Sequence, residues 1–109
     1  MKDSKAQSPL PLPVKRALAT LGRDISTARR RRNMTIATLA ERAFIGRTTV
    51  TRVERADAGV ALGIYATVLF VLGLADRLTT LADPTTDQVG LTLAEEQLPL
   101  RARDKSEAR

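Results

Sequence analysis

The sequence predicts a small all-α protein on three observations. Apolar residues recur at spacings of three and four through most of the chain, which is the period of a helix with one buried face. Ala, Leu and Arg, which favour helix, are abundant, while the 109 residues include only three aromatics. Single Gly, Pro and Asn residues fall where helices are expected to begin or end. The length fits one domain with a tail at each end.

The N-terminal part predicts an arm followed by a long helix. Residues 1–12 are expected to form a flexible arm, because their prolines interrupt regular hydrogen bonding. The first helix is predicted from about Pro13 to Arg32, and proline is well tolerated in its first turn. Gly22 weakens the middle of this helix by about 1 kcal/mol relative to alanine, which would allow a break there. Asn33 suits the left-handed backbone that often ends a helix.

Two short helices joined by a tight turn are predicted next. The second helix covers residues 36–43 and follows Thr35, a favourable N-cap residue. The third helix covers residues 47–55 and follows Gly46, a weaker cap. This arrangement is typical of a helix-turn-helix, in which the second of two helices presents its outer face.

The C-terminal half predicts two more helices and a tail. A helix over residues 61–72 is apolar nearly all round and is expected to be buried on more than one side. A short helix over residues 76–82 stops before Pro84. In the tail, residues 83–109, Thr92 and Glu95 have the spacing of a capping box, while the neighbouring leucines alternate as in a strand. The pattern leaves both structures open, and residues 101–109 are expected to be disordered.

The charge is concentrated in one part of the chain. The protein carries a formal net charge of +6, but residues 15–55 hold eleven Lys/Arg against three Asp/Glu, a local charge of +8. Residues 56–109 carry a net charge of −3. A basic segment next to an acidic one indicates a polyanion-binding face followed by a different surface.

The composition argues against an enzyme. The chain has no Cys and no His, which removes disulfides, thiolate chemistry, the commonest general base and the usual ligands of zinc. The glycines are scattered singly, and the carboxylates of Asp24, Glu41 and Glu54 are isolated on helices. We therefore expect no catalytic residue, no cofactor and no metal.

Membrane insertion and secretion are not expected. The 18 uncharged residues between Asp57 and Asp76 approach the length of a membrane-spanning helix, but they include three glycines and polar side chains. A buried helix is the preferred interpretation. The N-terminus has no apolar signal segment, so we expect a cytoplasmic protein.

The outer face of the third helix has the chemistry of a DNA reader. Val50 and Val53 are expected to anchor this helix from beneath and leave Arg and Thr side chains outside. An arginine can bind guanine bidentately, and a threonine can donate a hydrogen bond or place its methyl group against thymine. The residues predicted to read base edges are Arg47, Thr48, Thr49 and Arg52.

The run TIATLAERAFIGRTTVTRVER, residues 35–55, resembles the Xre/Cro family of lambda-repressor-like helix-turn-helix proteins. The resemblance extends from about Leu21 to Leu74. It is carried by Leu39-Ala40, by Val50, Val53 and Glu54 in a hydrophobic-x-x-hydrophobic-Glu pattern, and by Leu72-Gly73-Leu74. It implies a five-helix domain over residues 13–82 that binds double-stranded DNA. It also implies repression of transcription by a homodimer on a palindromic operator, with Glu54 in a structural role.

Three residues depart from the family pattern. Ile36 stands where a polar residue often contacts a DNA phosphate, Gly46 replaces the usual Ser cap, and Ala56 replaces a common Gly. The first departure puts that phosphate contact in doubt, and the other two put the local geometry in doubt.

Two further sets of residues are predicted to make contacts. Candidates for the DNA backbone are Thr35, Thr51, Arg55, Arg29, Arg30, Arg31 and Arg32, although cations in a last helical turn are also favourable without any ligand. A small monomer core is not expected to cover every apolar residue of the fourth helix. The predicted dimer interface is therefore Leu62, Tyr65, Val68, Leu69 and Leu72.

The tail supplies a narrower hypothesis. The segment LADPTTDQVGLTLAEEQLPLRAR, residues 81–103, resembles the tail of HipB-like antitoxins, which repress their own operon and bind a HipA-like kinase toxin. The alternatives are a disordered tail on an ordinary repressor, or a protein-interaction module that keeps the fold and does not bind DNA.

Overall fold

The structure, a computed structural model, describes the backbone of residues 9–108 and the side chains of residues 9–98. This part of the chain is helical and contains no strand, which confirms the all-α prediction. The chain divides into two compact units, one ending at Asp76 and the other beginning at Arg77.

Five α-helices and one 3-10 helix follow each other along the described residues. The α-helices are α1 (Leu12–Arg31), α2 (Ile36–Ala43), α3 (Arg47–Glu54), α4 (Leu62–Val71) and α5 (Gln88–Ala108). The predicted fifth helix is instead a 3-10 helix over Ala75–Thr80. None of the helices in the described part of the chain combines the length and the apolar character that crossing a membrane requires.

The helix α1 runs unbroken through Gly22. A Cβ atom at this position would lie 2.7 Å from the carbonyl oxygen of Glu54 and 3.1 Å from the amide nitrogen of Ala56. The glycine therefore lets α1 approach the backbone at the end of α3, and the break considered at this position is absent. The helix ends before Asn33, whose φ of 55° is the left-handed conformation predicted for it. Residues 1–8 of the predicted arm lie outside the described residues.

Local signals at the start of α2 and α3 agree with the prediction. The hydroxyl oxygen of Thr35 accepts a hydrogen bond from the amide of Thr38 at 3.0 Å, so Thr35 caps α2. Gly46 precedes α3 in an extended conformation and offers no side-chain cap. Between these helices, Phe44 adopts a left-handed φ of 56° and turns the chain.

The core of the first unit is made by α1 to α4. The helix α3 packs against α1 and α2, and α4 packs against α2. The largest fully buried side chains come from all four helices, and they are Ile25, Leu39, Val50, Val53 and Val68. As a result α3 is anchored by its inner side.

The buried residues of α4 correct the predicted dimer interface. Four of its five members, Tyr65, Val68, Leu69 and Leu72, are buried within the single chain. Assigning these four residues to a dimer surface was wrong, because α2 packs on α4 and the Tyr65 hydroxyl donates to the Asp57 carbonyl at 2.8 Å. The core does leave other apolar residues of this helix uncovered. Leu62 is 70 % exposed and Phe70, which was not predicted, is 72 % exposed.

The second unit contains the helix α5. The tail pattern was compatible with a helix or a strand, and the structure shows a helix. The Asp87 side chain accepts a hydrogen bond from the Gly90 amide at 3.1 Å, so the helix starts there and Thr92 lies inside it. The helix continues to Ala108 through the segment where disorder was predicted, and Arg109 lies outside the described residues.

Candidate nucleic-acid interface

The helix α3 has one buried and one exposed side. Val50 and Val53 are 0 % exposed, and a turn of 100° per residue places five polar residues on the opposite side. We call this surface the α3 outer face, and it consists of Arg47, Thr48, Thr51, Arg52 and Arg55. Thr51 is half-buried at its edge and the other four are exposed. Thr49 is also half-buried, on the side next to Val53, so it is the least outward of the four predicted base readers.

Arg52 is oriented by the loop that follows α3. Its Nε donates a hydrogen bond to Oδ2 of Asp57 at 2.8 Å, and Oδ1 of Asp57 accepts from the amide of Gly59 at 2.7 Å. The hydrogen bond from Arg52, and next the one from the Gly59 amide, hold the pKa of Asp57 below its ordinary value of 3.8. The guanidinium therefore leaves the helix in a direction set by a carboxylate.

The same loop is tied to the core. The Tyr65 hydroxyl donates to the Asp57 carbonyl oxygen, and burial of the ring raises the pKa of Tyr65. Because Tyr65 is buried in α4, this hydrogen bond connects the position of Asp57 to the packed interior. Arg52 is thus supported through Asp57 by a residue of another helix.

An ion pair fixes the C-terminal end of α3. Arg29 of α1 donates to both carboxylate oxygens of Glu54, through Nε at 2.6 Å and Nη2 at 3.2 Å, and the two side chains are only 12 % and 11 % exposed. A third donor, Nη1 of Arg29, bonds to the Met34 carbonyl at 2.9 Å. Glu54 therefore has the structural position that the family resemblance implies.

This geometry corrects the role predicted for Arg29. The side chain was expected to contact a DNA phosphate, but its donors are directed to Glu54 and Met34 inside the protein. The following arginines of the same turn differ, because Arg30, Arg31 and Arg32 are exposed.

The other predicted backbone contacts are at the surface. Arg32 donates to the Ala28 carbonyl at 2.8 Å and remains exposed, which fits the helix-end role of a last-turn cation. Thr35 is exposed as well, but its hydroxyl is engaged in capping α2 and donates to the Thr38 hydroxyl at 3.0 Å. Arg55 is exposed immediately after the last residue of α3.

An open cleft of about 340 Å³ lies beside the α3 outer face. We call it the α1–α3 cleft, because most of its walls come from these two helices. Its lining residues are Arg23, Ser26, Thr27, Arg30, Ile36, Thr51, Glu54 and Arg55. The sequence reading missed the α1 wall of this cleft, although the four α1 residues have the i, i+3, i+4, i+7 spacing of a single helix face.

Two non-glycine residues flank α3 in left-handed backbone. Ala56 has a φ of 63° at the position where the resemblance suggested glycine, and Phe44 has a φ of 56°. The Phe44 side chain is 94 % exposed, so burial of its ring does little to offset the unfavourable left-handed backbone. Phe44 lies in the tight turn predicted between the helices over residues 36–43 and 47–55.

No family model, curated protein or solved structure matches the chain. Among the described residues, no cluster of acidic, His or Cys side chains could hold a metal ion.

Proposed function

We propose that this protein is a sequence-specific DNA-binding regulator that inserts the α3 outer face into the major groove and represses transcription. The observation that carries the proposal is an exposed face of Arg and Thr side chains on a helix whose inner side is fully buried. The resemblance to the Xre/Cro family over residues 35–55 supports the same interpretation.

The chemistry of the α3 outer face suits base recognition. Arg47 and Arg52 have guanidinium groups that match the O6 and N7 acceptors of guanine, and Thr48 offers a hydroxyl and a methyl group. The single carboxylate of α3, on Glu54, points to Arg29 and does not repel a phosphate from the outer face. We assign base reading to these three residues, with Thr49 in a lesser role because it is half-buried.

The surrounding charge suits the DNA backbone. The proposed backbone contacts are Thr51, Arg55 and the exposed arginines at positions 30–32. Thr35 is set aside, because its hydroxyl hydrogen is already donated to Thr38. Each phosphate that the arginines neutralise releases condensed cations, so the affinity should fall steeply as the salt concentration rises.

Dimerisation is part of the proposal, because one short helix reads few bases. Two copies that read half-sites about one helical turn apart would bind a palindromic operator. Leu62 and Phe70 are the exposed large apolar residues of α4, and we propose them as the contact between subunits in place of the buried set.

The antitoxin role is a narrower proposal that depends on the tail. Four large apolar side chains of α5 are exposed and are therefore available to a partner. They are Val89, Leu91, Leu93 and Leu98. A HipA-like kinase is the partner that the tail resemblance implies, and a gene for such a kinase beside this one would support the role.

The test begins with selection of bound duplexes from a random pool at low salt. We expect enrichment of a palindromic sequence and submicromolar binding of that sequence in fluorescence anisotropy. Arg52→Ala should lose about 1–3 kcal/mol of binding free energy and relax discrimination at one position of each half-site. Arg77→Ala removes an exposed arginine of the second unit and serves as the matched control.

The alternative is a protein-interaction module without DNA binding. This alternative predicts that no duplex is enriched in any round of the selection. It also predicts that all DNA sequences bind equally weakly and that salt abolishes the binding. That result, with the protein folded, would contradict the proposed function.

A further inference from the structure

We infer that the α1–α3 cleft is a binding site for a phosphate group. Where the phosphate belongs to DNA, the inference rests on the proposed function and adds α1 to the DNA-binding surface. Where the phosphate is a free ion, binding in the cleft does not depend on the proposed function.

Two helices meet at the cleft. Arg23, Ser26, Thr27 and Arg30 are spaced three and four residues apart, so they form one face of α1 and project from it in one direction. The other wall comes from the end of α3 and consists of Thr51, Glu54 and the following residue, Arg55. The cleft is consequently walled on two sides by polar side chains.

The cleft is rich in positive charge. Three arginines are among its lining residues, and they are Arg23, Arg30 and Arg55. The carboxylate of Glu54 does not neutralise these arginines, because both of its oxygens already accept hydrogen bonds from Arg29. Three like charges around one opening repel each other, and an anion between them would relieve that repulsion.

The cleft also offers hydrogen-bond donors. Ser26, Thr27 and Thr51, which carry hydroxyl groups, are half-buried residues of its lining. The hydrogen bonds of the cleft arginines are long, since Arg23 donates to the Thr20 hydroxyl at 3.4 Å and Arg30 donates to the Ser26 carbonyl at 3.3 Å. A phosphate accepts several charge-assisted hydrogen bonds at once, and guanidinium groups match its geometry.

The lining also narrows the class of ligand. Ile36 is the single large apolar residue among the eight that line the cleft, and the other seven are charged or polar, which favours an anionic ligand over an acyl chain. Thr51 and Arg55 belong to both the cleft and the α3 outer face. A duplex seated on that face would therefore bring its own backbone to the cleft, and we favour a DNA phosphate as the source.

The first arm of the experiment uses inorganic phosphate alone. Phosphate is titrated into ¹⁵N-labelled full-length protein at constant ionic strength, with chloride as the replaced anion. We expect the largest amide shift changes at residues 23–30 and 51–55. Arg23→Gln should weaken this binding by about tenfold, while Arg77→Gln, which removes the same charge outside the cleft, should leave it within about twofold.

A second variant distinguishes a site with specific hydrogen bonds from general attraction of phosphate to positive charge. Thr27→Val keeps the shape and the net charge and removes one hydroxyl group. We expect it to weaken phosphate binding by a few-fold, as the loss of one hydrogen bond does. Thermal melts of each variant show that the fold is retained.

The second arm uses the duplex selected above and decides the source of the phosphate. Arg23→Gln should weaken binding about equally for all sequences and reduce the slope of log affinity against log salt by about one. If the cleft binds free phosphate but the protein does not bind DNA, the phosphate site is supported and the proposed function is contradicted. Specific DNA binding that is unchanged in Arg23→Gln, together with phosphate shifts that Arg23→Gln and Thr27→Val do not alter, would overturn the inference.

Discussion

The two ends of α3 are held in different ways. At the C-terminal end, a bidentate ion pair joins Glu54 to α1, and the backbone of α1 touches the helix end at Gly22. At the N-terminal end, Gly46 gives no side-chain cap and Phe44 is almost fully exposed. The helix is thus positioned from its far end and its underside. The turn that carries the first proposed base readers therefore begins without a side-chain cap, in contrast to the ion-paired end.

Of the contacts that distinguish the two ends of α3, the ion pair at the C-terminal end should contribute most to the free energy of unfolding. Glu54→Gln removes the charge that faces the nearly buried Arg29, and we expect it to lower the free energy of unfolding by about 2–3 kcal/mol. Asp57→Asn breaks the more exposed pair with Arg52 and should cost at most about 1 kcal/mol. Urea denaturation of both variants compares them directly, and equal losses would contradict the special role of the Arg29 pair.

The close approach at Gly22 should be the next largest effect. Gly22→Ala gains helix propensity, but its new Cβ atom meets backbone at 2.7 Å, so we expect a net loss of about 1–2 kcal/mol. Gly63→Ala is the matched control, since nothing lies within 4 Å of a Cβ there and α4 should be unchanged or slightly stabilised. Stabilisation by Gly22→Ala would mean that α1 does not press against the end of α3.

Glycine at either left-handed position should stabilise the protein. Ala56→Gly and Phe44→Gly each relieve positive-φ strain, and we expect each to raise the free energy of unfolding by about 0.5–1 kcal/mol. Ala17→Gly, in the exposed middle of α1, should instead lower it by about 1 kcal/mol. A loss of stability in Phe44→Gly alone would show that its ring is packed, and would weaken the contrast between the two ends.

The smallest effect is electrostatic. The Asp57 carboxyl should titrate below pH 3.8, and Arg52→Gln should move its pKa upward, because the hydrogen bond from Arg52 is the main cause of the shift. A depressed pKa in the folded state means that the contribution of Asp57 to stability is present above about pH 3.8 and is lost as the pH falls through the folded-state pKa. Carboxyl ¹³C shifts measured against pH check this, and an unchanged pKa in Arg52→Gln would contradict the pairing.

The elements that sequence reasoning predicted well are those with local signals. The helices over residues 36–43 and 47–54 follow from caps at Thr35 and Gly46 and from apolar residues one helical turn apart. The inward direction of Val50 and Val53 follows from the same period. The exposed face of α3 could therefore be predicted before any contact was known.

What the sequence did not predict depends on contacts between distant residues. Arg29 meets a partner 25 positions later, and nothing local distinguishes it from the arginines beside it. The need for Gly22 comes from the backbone of another helix, and the burial of Tyr65 comes from α2 and the Asp57 loop. The start of α5 was missed for a different reason, since the local cap at Asp87 was overlooked in favour of Thr92.

The most direct test of the central claim is a map of amide shifts in ¹⁵N-labelled protein on addition of the selected duplex. The account predicts that the strongest changes fall on residues 46–55, with smaller changes in residues 23–32 and little change along α5. Strong changes confined to α5, with residues 46–55 undisturbed at saturating duplex, would contradict it.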